Sequence, residues 1–479
     1  MEEIMAKNSQ SKWLILLALG LFTFMSTLDS SIVNIALPTI SRDLAVPMNE
    51  ATWTVSIYLI VISGLLIFFG RLGDMIGKIK VFKIGTYIFT FGSLLAGISA
   101  GLPFLLFARF VQAIGAAMTM SNSFGITTVT FPPEQRGRAM GLIAMFVSIG
   151  AVAGPGLGGL ILQYLPWSYI FWVNVPIGIV TIIMGQILFP KSSSRGAKPK
   201  IDWAGAIVFF IMIVALFMGV NVGQAEGFLH PTVIGMIILA IVLFIIFVKV
   251  EKREKIPLIN LAIFKNSMFS ISLLTGMLVF ITNNFFVVIM PFYLQNLRGW
   301  TPGTSGLLMM TFPIVMAVMA PIGGILGDKF DKEVITMIGL VLIMVAQIGY
   351  TLIGATTGFV LIAIFNALNG AGAALFNSPN NALVMGTVEP QYLGVAGSVN
   401  ALARNLGMII GISTATTALF GWMSMSAGYR VTTYLPKHPM FFSNAMHYAF
   451  MISMVLAVIA FGLTFYRWNL SRKARLVTK

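Results

Sequence analysis

The chain has 479 residues and no cysteine, which excludes disulfides, thiol catalysis and thiolate metal sites. Histidine is almost as scarce. His230, His438 and His447 are scattered and make no metal-ligand spacing, so no metal is expected. No Walker A loop occurs, which removes ATP as the expected energy source. No nucleophile stands with a positioned base, so no catalytic residue, enzyme activity or cofactor is expected. A channel would want rings of pore-lining charge or a filter loop, and neither is found. Charged residues make up 9% of the chain, against about 25% in soluble proteins. There are fifteen acids, and all but one fall in segments that read as loops or span ends. The exception is Asp29, in the run Thr27-Leu28-Asp29-Ser30. An ionisable group that deep in a span costs about 2.5–3.5 kcal/mol on insertion scales, so its retention points to a use.

Hydrophobic residues dominate, at 58%. Apolar runs of about twenty residues recur along the whole chain, which is the signature of transmembrane helices. The net charge of +15 then reads as the positive-inside bias of a polytopic membrane protein, not as a nucleic-acid surface. Met1-Glu2-Glu3 is acidic and the first apolar run is too long for a signal peptide, so no cleaved leader is expected. Fourteen spans are predicted, at 13–37, 51–70, 81–101, 104–124, 138–162, 169–189, 203–222, 231–249, 269–293, 304–324, 334–354, 358–378, 394–420 and 447–467. With the N-terminus in the cytoplasm, twenty-four of the thirty Lys and Arg residues fall on the cytoplasmic side. These include Lys78, Lys80, Arg136, Arg138, Lys191 to Lys200, Lys249 to Lys255 and Arg467. Arg42, Arg298, Arg430 and Lys437 fall outside, and Arg109 and Arg404 lie within spans. The asymmetry predicts a multi-pass plasma-membrane protein with both termini cytoplasmic.

An internal echo divides the chain. Gly70-Arg71-Leu72-Gly73-Asp74 follows the second span and Gly324-Ile325-Leu326-Gly327-Asp328 follows the tenth. Two related halves of six spans leave spans seven and eight as extras. The expected units are an N-terminal six-helix bundle over 1–190, two linker helices over 191–255 and a C-terminal six-helix bundle over 256–479.

These residues carry a family resemblance. Gly70-x-Leu72-x-Asp74-x-x-Gly77-Lys78-x-Lys80 resembles motif A of the major facilitator superfamily, and Arg109-x-x-Gln112-x-x-Gly115-Ala116-Ala117 resembles its motif B, with Ala113 where glycine is usual. Gly150-x-x-x-Gly154-Pro155-x-x-Gly158-Gly159 is similar to motif C, which marks exporters. The stretch around Asp29 and the segment Trp167–Gly178 are similar to the fourteen-span drug:proton antiporters, and the resemblance covers essentially the whole chain. The second motif A departs at Asp331, where glycine is expected, and reads as a degenerate copy. The resemblance implies an all-α polytopic membrane protein of the major facilitator fold. It also implies motif A as a latch between the halves (Gly70, Asp74, Gly77, Lys78 and Asp328).

Elementary geometry adds to this. Asp29 lies eight residues before Leu37, at the outer end of span one, and Arg109 six residues after Pro103, where span four begins. At 1.5 Å per residue both sit roughly 9–12 Å below the outer surface, so a direct or water-mediated contact is expected. The pair is either a proton site whose partner moves or a static ion pair. Gln112 shares a face with Arg109, and either looks into the central cavity or bonds across helices. Gly150, Gly154 and Gly158 present a flat helix face for close packing, and Pro155 is expected to bend that helix. Arg404 stands near mid-membrane with Asn400 one turn earlier; it either bonds backbone carbonyls or meets an anionic or zwitterionic group on the substrate. Asn283, Asn284, Asn366 and Asn369 are further candidate cavity residues. Methionine and phenylalanine, thirty and thirty-eight residues, serve mainly for packing and lipid contact.

The expected function is a proton-coupled exporter of amphipathic small molecules, driven by the proton gradient and acting as a monomer in the lipid bilayer. One acid against two arginines within the spans fits neutral, zwitterionic or anionic cargo better than dications. Export of an endogenous lipid, glycolipid or metabolite is the alternative, and an uptake symporter a further one.

Overall fold

The computed structural model describes residues 2–46, 48–98, 100–189, 202–227, 230–254, 257–431 and 434–477. The basic loop Lys191–Lys200 lies outside the described residues. Among the described residues there is no strand, and fourteen helices are long and apolar enough to cross a membrane. Within lipid each backbone N–H and C=O must be satisfied inside its own segment, which is why such runs become helices.

They are α1 (Glu2–Asp43), α2 (Trp53–Ile76), α3 (Lys78–Ala96), α4 (Leu102–Thr130), α5 (Arg136–Tyr164), α6 (Tyr169–Trp172 and Asn174–Leu188) and α7 (Trp203–Glu226). The rest are α8 (Pro231–Arg253), α9 (Ser267–Phe292), α10 (Pro302–Met309 and Thr311–Lys329), α11 (Lys332–Leu352), α12 (Phe359–Gly386), α13 (Leu393–Ala427) and α14 (Pro439–Val477). The even number of spans puts both chain ends on one face, called here the terminal face. The breaks in α6 and α10 have a common cause. Pro176 and Pro313 supply no N–H to the carbonyls four residues back, at Trp172 and Met309, and the helix parts next to each. Side chains cap several starts: Asn266 Oδ1 accepts from Met268 N at 3.0 Å, and Asp202 Oδ1 from Gly205 N at 2.8 Å.

The fold is that of two six-helix bundles, α1–α6 and α9–α14, with α7 and α8 as an added pair. The halves meet through α5 against α10 and α2 against α13, with α4 against α13 and α5 against α12. The first two pairs are the same contact under the internal repeat, since α2 corresponds to α10 and α5 to α13. Helix α7 packs on α2, where Gly64 lies against the Phe210 ring, while α8 leaves Ile238, Ile241, Phe244 and Ile245 exposed. Edge-to-face rings knit each half internally, Phe22 with Phe82 and Phe89 in one and Tyr350 with Phe365 in the other.

Candidate functional site

Asp29 is fully buried in α1, and both its oxygens are engaged. Arg109 Nη1, from α4, donates to Oδ2 at 2.6 Å. Gln112 Nε2 and Asn174 Nδ2 donate to Oδ1 at 2.9 and 2.8 Å. Arg109 is held in turn: Nη1 also donates to Gln112 Oε1 at 2.6 Å and Nε to the Thr54 carbonyl at 2.9 Å. Its guanidinium lies 4.1 Å from the centre of the Tyr58 ring, a cation–π contact in an apolar setting. Gln112 Nε2 reaches Ser93 Oγ at 2.8 Å, tying α3 into the cluster. A buried ion pair is tolerable only with further hydrogen bonds around it; α2, α3, α4 and α6 supply most of them here, and Arg109 Nη2 is left without a partner among the described residues.

A cavity lies between the halves. Ser26, Thr27 and Ser123 line it from one half, and Asn381, Asn400 and Arg404 from the other. Asp29 is not among its lining residues, so carboxylate and cavity are separate compartments on α1. Of the seven residues considered for the cavity, Asn400 and Arg404 line it. The other five do not. Gln112 belongs to the carboxylate cluster, because its face of α4 turns towards α1 and α3. Asn283 and Asn284 are buried in α9 off the cavity, where Asn284 Nδ2 bonds the Phe280 carbonyl at 2.7 Å. Asn369 is fully buried within the C-terminal half, and Asn366 joins Tyr350 Oη to the Leu308 carbonyl as interhelical glue.

At the terminal face each half carries a carboxylate that caps a helix of the other. Asp74 accepts from Gly394 N at 2.9 Å and Val395 N at 3.0 Å, in the first turn of α13. Asp328 accepts from Gly137 N and Arg138 N, both at 2.8 Å, in the first turn of α5. Lys78 Nζ sits 2.6 Å from Asp74 Oδ1. Both sites join anionic oxygens to unpaired N–H groups at the positive end of a helix dipole. Gly70 is needed for the approach: a Cβ there would lie 2.6 Å from the Gly394 carbonyl. Gly77 is needed for the turn, at φ +105°. The second copy, expected to be degenerate at Asp331, is not: Asp331 has φ −58°, so no glycine is required, and Asp328 makes the same pair of bonds.

The glycines of α5 pack that helix on the stretch of α1 that bears Asp29. A Cβ on Gly150 would stand 2.7 Å from the Phe24 carbonyl, on Gly154 1.8 Å from Ser31 Oγ, and on Gly158 2.8 Å from Ile32 Cγ1. Ser31 Oγ also donates to the Gly150 carbonyl at 3.2 Å. Gly159 faces open space and takes no part in this contact. Pro155 stands within α5, whose helical run from Arg136 to Tyr164 is continuous.

Two residues escaped the sequence reading. Asn174 opens the second part of α6, five residues below the start of the span; the depth argument that paired Asp29 with Arg109 would have reached it. Arg467, read as a cytoplasmic tail charge, is fully buried. It donates to Ser272 Oγ at 2.7 Å, Asn380 Oδ1 at 3.0 Å and Thr336 Oγ1 at 3.1 Å, because α14 continues well past the predicted span end.

Two repeated helical halves around a cavity, latched reciprocally at one face, define a polytopic membrane transporter. The chain belongs to the Major Facilitator Superfamily, whose profile matches residues 19–412. It is 32% identical over 403 residues to the riboflavin transporter RibZ of Clostridioides difficile (strain 630), covering 84% of this chain and 87% of that one. It is 28% identical over 426 residues to the multidrug export protein EmrB of Escherichia coli (strain K12), covering 88% and 83%. In fold it is similar to the human organic anion transporter MFSD10 (TETRAN), with a TM-score of 0.63 at 14% identity, over 95% of this chain and 98% of that one.

Proposed function

We propose that the protein is a proton-coupled exporter of amphipathic small molecules that works by alternating access, with Asp29 as the proton carrier and the inter-half cavity as the cargo site. The carrying observation is the closed cluster of Asp29 with Arg109, Gln112 and Asn174, set apart from the cavity on the same helix. A proton on Asp29 removes the charge that holds Arg109. The cluster then loosens, and α1 and α4, which also line the cavity, are freed to change their packing. The latches at Asp74 and Asp328 hold one access state until that happens. The proton gradient is the energy source, without cofactor or catalytic chemistry. The protein acts as a monomer in the plasma membrane, with the terminal face cytoplasmic. Its units are residues 1–190, 191–255 and 256–479.

Motif C supports export, since Gly150, Gly154 and Gly158 pack α5 closely against the proton-bearing stretch of α1, as a barrier to proton leak would require. Relatives named for multidrug export and resistance support the same direction. A second reading, transport of an endogenous metabolite by the same machinery, is favoured by the likeness to a riboflavin transporter. The test is transport in proteoliposomes under an imposed pH gradient. Exchange of substrate against protons is expected; movement of both in one direction would make the protein a symporter.

A further inference from the structure

Among the described residues, Arg404 is the one charged side chain lining the cavity, and no hydrogen bond or ion pair joins it to another of them. That sets it apart from Arg109 and Arg467, the two fully buried guanidiniums. Arg109 bonds Asp29, Gln112 and the Thr54 carbonyl, and Arg467 bonds Ser272, Asn380 and Thr336. The protein builds acceptors around those two and none, among the described residues, around the guanidinium that lines the cavity. A guanidinium offers five N–H donors in a planar fork that matches an oxyanion.

The rest of the lining agrees. No carboxylate is among the described residues that line the cavity. On the Arg404 side, Asn400 Nδ2 is spent on Asn381 Oδ1 at 2.9 Å, so these amides bond each other and not the arginine. On the far side, Thr23, Ser26 and Thr27 each donate their hydroxyl hydrogen to a backbone carbonyl of α1, at 2.8, 3.1 and 2.9 Å. Met120, Met140 and Met316 supply a pliable apolar surface between the two walls. A cation entering here meets a like charge and no counter-ion. A neutral molecule leaves the guanidinium unpaired. An oxyanion on an apolar body completes the site.

We propose that the cargo is an amphipathic monoanion whose carboxylate or other oxyanion is held by Arg404; this rests on the exporter reading above. The charge balance of the cycle follows. Asp29 takes one proton inward per turnover, and the cargo carries one negative charge outward. Two elementary charges therefore move in the same electrical sense, and an inside-negative potential drives both. Exchange of a monocation for a proton would be electroneutral.

The experiment uses three probes with one naphthalene body and different heads: 1-naphthylacetate, 2-(1-naphthyl)ethanol and (1-naphthylmethyl)trimethylammonium. Equilibrium dialysis against the purified protein is expected to give at least tenfold tighter binding of the acetate than of either other probe. Arg404→Gln brings the acetate-to-alcohol ratio near one, and Arg404→Lys restores part of it. In proteoliposomes, a potassium diffusion potential without a pH gradient drives movement of the acetate. Tightest binding of the ammonium probe, an acetate preference that survives Arg404→Gln, or indifference to potential would each overturn the proposal while leaving a proton-coupled exporter standing. If Arg404→Gln does not fold, the wild-type ranking and the potential dependence decide. If none of the three probes binds, the reading of an amphipathic cargo falls as well.

Discussion

Asp74 and Asp328 occupy equivalent places in the two halves, and each accepts two consecutive backbone amides from the first turn of a helix in the opposite half. The reciprocity makes the latch symmetric: α2 holds α13 and α10 holds α5. Charge-assisted hydrogen bonds of this kind are worth about 1.5–3 kcal/mol each, so under the alternating-access reading proposed above the pair at each carboxylate is expected to favour the state in which this face is closed.

Loss of one latch carboxylate therefore opens the terminal face. Asp328→Asn removes the charge and one of the two acceptors. The chain has no native cysteine, so spin labels at Glu134→Cys and Lys329→Cys, exposed and on opposite halves, attach only where intended. The variant is expected to raise the ratio of long to short inter-label distances at least tenfold. An unchanged distance distribution would show that the latch does not set the equilibrium.

The glycines of α5 divide sharply. Gly154→Ala places a Cβ against Ser31 and separates α5 from α1; a melting temperature lower by several degrees and faster proton leak into vesicles are expected. Gly159→Ala meets open space and gains helix propensity, about 1 kcal/mol at most, so its stability is equal to or slightly above the parent. Equal damage from both substitutions would remove the packing account of this motif.

Arg467 is a structural cation. Removing it leaves buried polar partners unpaired, at about 1–3 kcal/mol for each such group. Arg467→Ala is expected to lower the melting temperature markedly, whereas Arg472→Ala, at an exposed position five residues on, leaves it unchanged. A melt indistinguishable from the parent for Arg467→Ala would contradict its role as the link between α9, α11, α12 and α14.

Much of this was readable from the chain. Hydropathy located all fourteen spans because lipid forces each apolar run into a helix, and depth matching found the pairing of Asp29 with Arg109. What the sequence could not supply was rotation about the helix axes. Gln112 and Arg109 share a face under any packing, but only the approach of α3 decides that this face closes on Ser93 and not on the cavity. Gly159 belongs to the same motif as Gly154, yet it looks away from α1. Arg467 looked like a tail charge because hydropathy fades before the helix does. Asn174 was within reach of the depth argument but was passed over, because an amide in a span signals a hydrogen bond without saying to what.

The account turns on Asp29 as the proton carrier. The most direct measurement compares wild type and Asp29→Asn in proteoliposomes, in two modes on the same preparation: substrate movement driven by a pH gradient, and substrate counterflow without one. The account predicts that Asp29→Asn loses gradient-driven transport to background while counterflow persists, because the cavity is a separate compartment. Full gradient-driven transport by Asp29→Asn would contradict it.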